Sequence, residues 1–204
     1  RDRSVSRGLG DVYKRQGIDN PISISVPGTP MSALSATMTN GPLTRSGDHW
    51  IARPTKVGEN AQISVSASVD GHSQSVGSMT FRIRKLPDPT AFIAMKDASG
   101  NPVSYKGTPR RISKAALMGA EGLSASVDDG ILDVAYQVVS FSTIFYDSMG
   151  NAIPEVSDGN KFSPRQKEQF KRLKTGKSFF ISQIKAKGPD GITRDISPME
   201  VALN

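Results

Sequence analysis

Met79-Thr80-Phe81-Arg82-Ile83-Arg84-Lys85-Leu86-Pro87-Asp88-Pro89-Thr90 decides how this chain is divided. Phe81 and Ile83 fall on one side of an extended backbone and Thr80, Arg82 and Arg84 on the other, the period of two of a half-buried strand. The strand then stops, because Pro87 and Pro89 cannot donate to a sheet ladder and each biases the residue before it toward an extended conformation. The sequence on either side reads as a separate folded unit. The expected organisation is a leader over residues 1–16, a β-sandwich domain over 17–86, a stiff linker over 87–90 with Pro87, Asp88 and Pro89 as the domain hinge, and an α+β domain over 91–204.

Composition bounds the answer. A chain of 204 residues suits one large or two small domains. With 36% hydrophobic residues it can build a core, and 19 Gly with 13 Pro point to the many turns of a mainly β protein. The absence of cysteine excludes a disulfide framework and a thiolate metal site. No apolar run approaches the roughly 20 residues that cross a bilayer as a helix. The formal charge is +7, but residues 1–16 hold five basic residues (Arg1, Arg3, Arg7, Lys14, Arg15) against Asp2 and Asp11, so the remainder carries only +4. A nucleic-acid footprint needs clustering on one face, which so modest an excess does not supply.

Arg1 to Gln16 lacks apolar periodicity and is rich in charge, so it is expected to stand outside the fold as a disordered leader. Its second part, Val5-Ser6-Arg7-Gly8-Leu9-Gly10-Asp11-Val12-Tyr13-Lys14-Arg15-Gln16, also resembles a translated sequencing adapter. From Gly17 to Leu86 the pattern is all-β. Ile22, Ile24 and Val26 alternate with serines, as do Ile63, Val65, Ala67 and Val69. Asp70-Gly71 then predicts a hairpin, since glycine accepts the positive φ that such turns require. Trp50, the one tryptophan, reads as a packing residue, with a sugar-stacking platform as the alternative. Strands spaced by Gly, Pro, Asn and Asp predict an immunoglobulin-like sandwich.

Beyond Ala91 the pattern is mixed. Ala91 to Met95 predicts a strand and Asp97 to Pro102 a turn. Ser113 caps a short helix through Met118, with Ile112 stapled onto Leu117. Leu123 to Val127 and Ala135 to Tyr146 predict strands. In the second the apolar phase changes from Tyr136 and Val138 to Val139, Phe141 and Phe145, the mark of a bulge or of a strand serving two packing layers. Ser163-Pro164-Arg165-Gln166 opens a second helix with a capping box, running to about Lys174. Phe179 to Ala186 and Ile192 to Leu203 form neighbouring strands about the Pro189-Asp190-Gly191 turn, with Met199, Val201 and Leu203 on one face.

Little in this pattern points to catalysis. Asp128, Asp129 and Asp133, and Asp147 with Glu155 and Asp158, are the carboxylate groupings, but neither matches a calcium loop, and Asp-Gly steps are commoner as turns. Gly122-Leu123-Ser124-Ala125-Ser126 falls one residue short of a nucleophile elbow, and the two histidines, His49 and His72, both lie in the first domain. No catalytic residue, metal site or cofactor is therefore expected. The second helix is strongly basic: Arg165, Lys167, Lys171, Arg172 and Lys174, flanked by Lys161 and Lys177, face the single acid Glu168. Such a surface is either simply solvated or an electrostatic contact face for an acidic partner.

Gly17-Ile18-Asp19-Asn20-Pro21-Ile22-Ser23-Ile24-Ser25-Val26-Pro27-Gly28, then Ala52-Arg53-Pro54-Thr55-Lys56-Val57-Gly58, then Gly77-Ser78-Met79 through Pro87-Asp88-Pro89-Thr90, resembles the C-terminal periplasmic half of the GldM/PorM family. That family forms the shaft of the type IX secretion and gliding machinery of Bacteroidetes. The resemblance implies a non-catalytic homodimer in the periplasm. It would be anchored by an N-terminal membrane helix that joins GldL/PorL, and would contact the ring lipoprotein complex of GldK/PorK and GldN/PorN through its final domain. In the family a further strand precedes the Gly17 segment. Adapter-like sequence stands there in this chain, so the first domain is expected to lack its opening strand and to leave a sheet edge unpaired. A secreted adhesion or carbohydrate-binding sandwich is the alternative reading.

Overall fold

A computed structural model describes residues 13–130 and 132–204, and the chain divides into two compact units, Arg1–Leu86 and Pro87–Asn204. The first is a two-sheet β structure. Its strands are β1 (Tyr13–Arg15), β2 (Asn20–Ile22), β3 (Leu34–Met38), β4 (Leu43–Ser46), β5 (His49–Ala52), β6 (Asn60–Val69) and β7 (His72–Arg84). One sheet has the order β1-β7-β6-β3 and the other β2-β5-β4. Ile24, Val26, Leu34, Trp50, Ile63, Val65, Ala67 and Phe81 form one buried cluster, which is the expected sandwich core. The Asp70-Gly71 turn has both residues at positive φ, 51° and 78°, and sets the β6–β7 hairpin.

Two expectations for this unit are corrected. Ile22 to Val26 is buried in alternation but is not a strand throughout: β2 ends at Ile22, and Val26 makes only an isolated bridge to Thr29. Pro21 and Pro27 remove the donors that a longer ladder would need. The leader does not stand wholly outside the fold either. Tyr13–Arg15 pairs in parallel with Arg82–Arg84, so the sheet edge along β7 is occupied there and not left unpaired. Residues 1–12 of the expected leader lie outside the described residues.

Strand addition needs only backbone donors and acceptors, which explains how so sequence-neutral a segment joins the sheet. Its position is fixed by Asn20, 8% exposed, whose Oδ1 accepts the Arg15 N–H at 2.9 Å. The Asn20 Nδ2 donates to the Arg15, Ile18 and Ala52 carbonyls at 2.9, 2.9 and 3.2 Å. Asn20→Ala should cost about 1–3 kcal/mol by stranding these groups. Denaturant titration measures that cost, and faster amide exchange at Arg15 localises it.

The second unit is one eight-stranded sheet with two helices. Its elements are β8 (Thr90–Lys96), β9 (Pro102–Tyr105), α1 (Lys114–Gly119), β10 (Ser124–Asp128), β11 (Asp133–Tyr146), β12 (Ala152–Asp158), α2 (Pro164–Arg172), β13 (Ser178–Lys187), β14 (Thr193–Ile196) and β15 (Met199–Ala202). The order is β14-β13-β11-β10-β8-β9, with β12 on β11 and β15 on β13. The long strands β11 and β13 form the spine. The ladder between them shifts register on both sides of Ser140, and Gln183 in β13 has φ 49°. That irregularity is the expected bulge. It resets the phase of β11, so that Val134, Tyr136 and Val138 are buried before it and Phe141 and Phe145 after it.

The phase reset assembles an aromatic core. Phe145 stacks on Phe179 with centroids 4.5 Å apart, Phe170 lies 5.2 Å from Phe179 and 5.0 Å from Phe162, and Phe162 meets Phe141 edge-on at 5.6 Å. Two strands of this unit escaped the sequence reading, β9 and β12. The latter is a mostly exposed edge strand carrying Pro154, so neither its composition nor its burial advertises it.

Candidate functional site

The basic helix is held rigidly. Ser163 Oγ accepts the Gln166 N–H at 3.2 Å and Gln166 Oε1 accepts the Ser163 N–H at 2.9 Å, the predicted capping box. Gln166 is fully buried, and its Nε2 also donates to the Glu155 carbonyl at 3.0 Å, so the cap ties α2 to β12. Phe170 anchors the inner face. The helix ends at Arg172, about two residues sooner than expected, where the Leu173 N–H reaches back to the Gln169 and Phe170 carbonyls. Lys114 takes over the freed acceptors, donating to the Lys171 carbonyl at 2.5 Å and the Leu173 carbonyl at 3.1 Å.

The predicted contact residues share this element. Arg165, Lys171, Arg172 and Lys174 are exposed and Lys167 is half-buried. Lys171 pairs with Glu168 at 2.5 Å, and its donated hydrogen bond holds that carboxyl below the usual range. Arg165 approaches Glu155 at 4.0 Å. Lys167, Arg172 and Lys174 make no ion pair with a described residue. Between α2 and the β11–β12 hairpin runs an open groove of about 680 Å³, lined by Phe145, Ile153 and Leu173 together with Arg165 and Arg172 and the carboxylates of Asp147, Glu155 and Glu168. The groove offers apolar contact bordered by both signs of charge, and the positive excess lies on the exposed face of α2.

Pro87, Asp88 and Pro89 belong to the second unit. The Pro87 carbonyl accepts from the Tyr136 hydroxyl at 2.9 Å, Asp88 lies 3.5 Å from Arg194 Nε, and Pro89 is buried. Arg194 is the centre of a network that the sequence did not reveal. Its side chain is 9% exposed, grips the shielded carboxyl of Asp190 through both terminal nitrogens at 3.1 and 2.5 Å, and lies 5.5 Å from the Tyr136 ring centroid. Burial works against the Asp190 charge. The Arg194 guanidinium and the Ile192 N–H outweigh it, so the carboxyl sits below its ordinary value of 3.8. Gly188 makes the close approach possible, since a Cβ there would stand 2.7 Å from the Tyr136 ring and 2.8 Å from Asp190 Oδ1.

The carboxylate groupings resolve mainly into turns. Asp147 accepts from its neighbour Asn151 through side chain and backbone, and from the Met149 N–H, which holds its carboxyl low. Asp97 does the same with Asn101 and Ser99, so Asp97-Ala98-Ser99-Gly100-Asn101 and Asp147-Ser148-Met149-Gly150-Asn151 are one turn used twice. Asp129 Oδ1 likewise accepts the Leu132 N–H. Asp147 and Asp158 lie toward opposite ends of the β11–β12 ladder. Among the described residues no group of three His, Asp or Glu side chains is placed to hold a metal ion. Gly122 packs against the Asn160 backbone, where an added Cβ would clash with the Asn160 carbonyl. Trp50 is 7% exposed, in the sandwich core, and presents no platform for a sugar.

Fold and surface together define a two-unit β protein whose broad solvent-facing surfaces include a rigidly mounted basic helix. Residues 11–84 match the family described as GldM third domain, and residues 87–204 the one described as GldM C-terminal domain. The chain belongs to the GldM family, a structural component of the type IX secretion and gliding machinery located in the periplasm and anchored in the inner membrane. No curated protein matches the chain. Among solved structures it is similar to a Bacteroides ovatus mixed-linkage glucan utilization locus protein, SGBP-B, in complex with a mixed-linkage heptasaccharide. That likeness has 12% identity over 98% of this chain and 68% of the other, with a TM-score of 0.25, and carries no argument. No helix among the described residues is long and apolar enough to cross a membrane.

Proposed function

We propose that the chain is a non-catalytic section of a homodimeric periplasmic shaft. It links an inner-membrane proton-driven motor, reached through GldL/PorL, to the ring complex of GldK/PorK and GldN/PorN. The observation that carries this reading is the family match across both units, joined to the basic face of α2 in the final one. A shaft works by binding at its tip and by stiffness along its length. Arg165, Lys167, Lys171, Arg172 and Lys174 form the contact face for the ring, and Pro87, Asp88 and Pro89 form the stiff joint.

The exposed basic face of α2 favours an acidic partner segment. Replacing Arg165, Lys167 and Arg172 together by Glu should weaken binding to purified ring protein at least about tenfold at low salt, with a smaller difference at high salt. An unchanged affinity removes this face from the account. Replacing Pro87 and Pro89 by Gly restores backbone freedom and should broaden the distribution of shapes in small-angle scattering while each unit keeps its own melting transition. An identical distribution would mean that the joint's stiffness does not come from these prolines.

A further inference from the structure

β8 and β10 run side by side and then part. Their ladder pairs Thr90, Ala91 and Phe92 with Ser126, Ala125 and Ser124 and goes no further. Continued, it would set Ala94 opposite Gly122, since each step forward on one antiparallel strand is a step back on the other. No main-chain hydrogen bond joins those two residues. The chain before Ser124 turns instead to the segment after β12. There the Leu123 N–H donates to the Asn160 carbonyl at 2.7 Å, and the Phe162 N–H to the Glu121 carbonyl at 2.9 Å. An open cleft of about 600 Å³ occupies the fork, with Ala94 and Lys96 of β8, Gly122 and Lys161 of the diverging segments, and Ala116 and Gly119 of α1 among its lining.

Register fixes which main-chain groups face the cleft. In an antiparallel ladder a residue turns its N–H and its C=O to the same neighbour, and successive residues alternate. The Asp97 N–H donates to the Asn101 carbonyl across the β8–β9 turn, so Met95 and Ile93, two and four residues back, bond β9 as well. Phe92, Ala94 and Lys96 therefore turn their N–H and C=O the other way. Phe92 meets Ser124 there, whereas Ala94 and Lys96 meet the cleft. On the opposite side the Leu123 N–H and the Glu121 C=O are directed at the Asn160–Phe162 segment. The same alternation turns the N–H and C=O of Gly122, which bridges Lys161 without bonding it, back toward β8. Both sides of the fork thus present main-chain donors and acceptors to the space between them.

We infer that this fork is an insertion site for an extended segment of a partner protein, which adds a strand along Ala94–Lys96. The occupant follows from the groups that await it. Main-chain donors and acceptors at the strand repeat are matched by another extended backbone, which gives affinity without demanding a particular side-chain sequence. An ordinary sheet edge offers one such row, and the fork offers two that face each other. The charged side chains lining it are Lys96, Lys161 and Glu121. Asp97 adjoins Lys96, but its carboxyl is engaged by the Ser99 and Asn101 N–H groups of its own turn. Two cations against one anion favour an acidic side chain on the incoming segment over a basic one. Gly119 leaves room beside it. It is helical, its φ is not positive, and an added Cβ would meet nothing within 4 Å, so neither conformation nor packing within the chain calls for glycine there. The inference does not depend on the ring contact proposed for α2.

The test titrates the acetylated, amidated peptide Ser-Val-Thr-Val-Glu-Ser into the isotope-labelled 204-residue chain and follows its amide resonances. So short a contact should have a dissociation constant on the order of 0.1–1 mM. At about ten times that constant, amide exchange at Ala94, Lys96 and Gly122 should slow about tenfold, because a paired amide exchanges only while the peptide is away. The same peptide N-methylated at alternate residues cannot pair and should not bind, a control that leaves the protein untouched. With Lys in place of Glu the peptide should bind at least about threefold more weakly. Gly119→Leu should weaken binding at least about tenfold by filling the cleft, with melting unchanged or raised because Leu is the better helix former. Arg165→Glu with Arg172→Glu should bind the peptide as the parent does. Resonance shifts confined to α2 or to the β14 edge, equal binding of the methylated peptide, or no saturation by about 10 mM peptide would overturn the site. Protection of Ala94 and Lys96 that appears on raising the protein concentration alone would make the occupant a second copy and overturn the assignment to a partner.

Discussion

Phe170→Ala should be among the most destabilising single substitutions in the second unit, at about 3–5 kcal/mol. Phe170 is fully buried and its ring meets Phe145, Phe162 and Phe179 at centroid distances of 6.0, 5.0 and 5.2 Å. Truncation removes the apolar contact that keeps α2 on the sheet and leaves a cavity ringed by aromatic edges, which cannot collapse without moving the spine strands. In a unit of this size the loss corresponds to a fall of about 10 °C or more in melting temperature. Hydrogen exchange should place the loss in α2 and β13 and leave the β6–β7 hairpin of the first unit protected. Phe170→Leu, which refills most of the volume, should recover more than half of it. A Phe170→Ala chain that melts like the parent would mean that α2 is not held by this core.

Asp190→Asn carries the second large effect, about 3 kcal/mol near neutral pH, because it leaves the buried Arg194 guanidinium without its principal counter-charge. Asp88 at 3.5 Å and the Ile192 carbonyl at 3.3 Å still serve Arg194, which keeps the expected cost at the lower end for a broken buried pair. The pH dependence gives a sharper test. The folded-state pKa of Asp190 is depressed, so its stabilisation is fully present above the ordinary carboxylate value of 3.8 and is lost as pH falls through the lower folded value. The gap in stability between the parent and Asp190→Asn should therefore be wide at pH 7, begin to close below about pH 4, and vanish once the parent's carboxyl is itself protonated. A gap that is independent of pH would assign the effect to packing of the turn and not to the ion pair.

What could be read from the sequence was whatever rests on local chemistry. The Asp70-Gly71 hairpin, the Ser163/Gln166 capping box, the Ser113 cap and the phase change in β11 each depend on residues a few positions apart, and each is found in the fold. The alternation of Met199, Val201 and Leu203 also predicted burial on one side. The misses have physical causes. β1 is held by main-chain pairing and by one asparagine, neither of which leaves an apolar pattern. The apolar alternation from Ile22 to Val26 correctly predicts burial, but prolines on either side deny it a ladder.

The candidate site divides in the same way. The basic stretch on α2 was visible as a charge count, and its rigid mounting was partly visible in the capping box. The groove beside it depends on β12, an edge strand without a burial signal. The Tyr136–Asp190–Arg194 network joins residues up to 58 positions apart and was beyond any local pattern, although Gly188-Pro189-Asp190-Gly191 marked its turn.

The most direct test of the account is the affinity of the 204-residue chain for the purified ring lipoprotein complex, measured by surface plasmon resonance at about 50 and 300 mM salt. Saturable binding that weakens steeply as salt rises, as expected of a contact made through the basic helix, is the predicted result. No binding at the lower salt, or binding of equal strength at both, would contradict it.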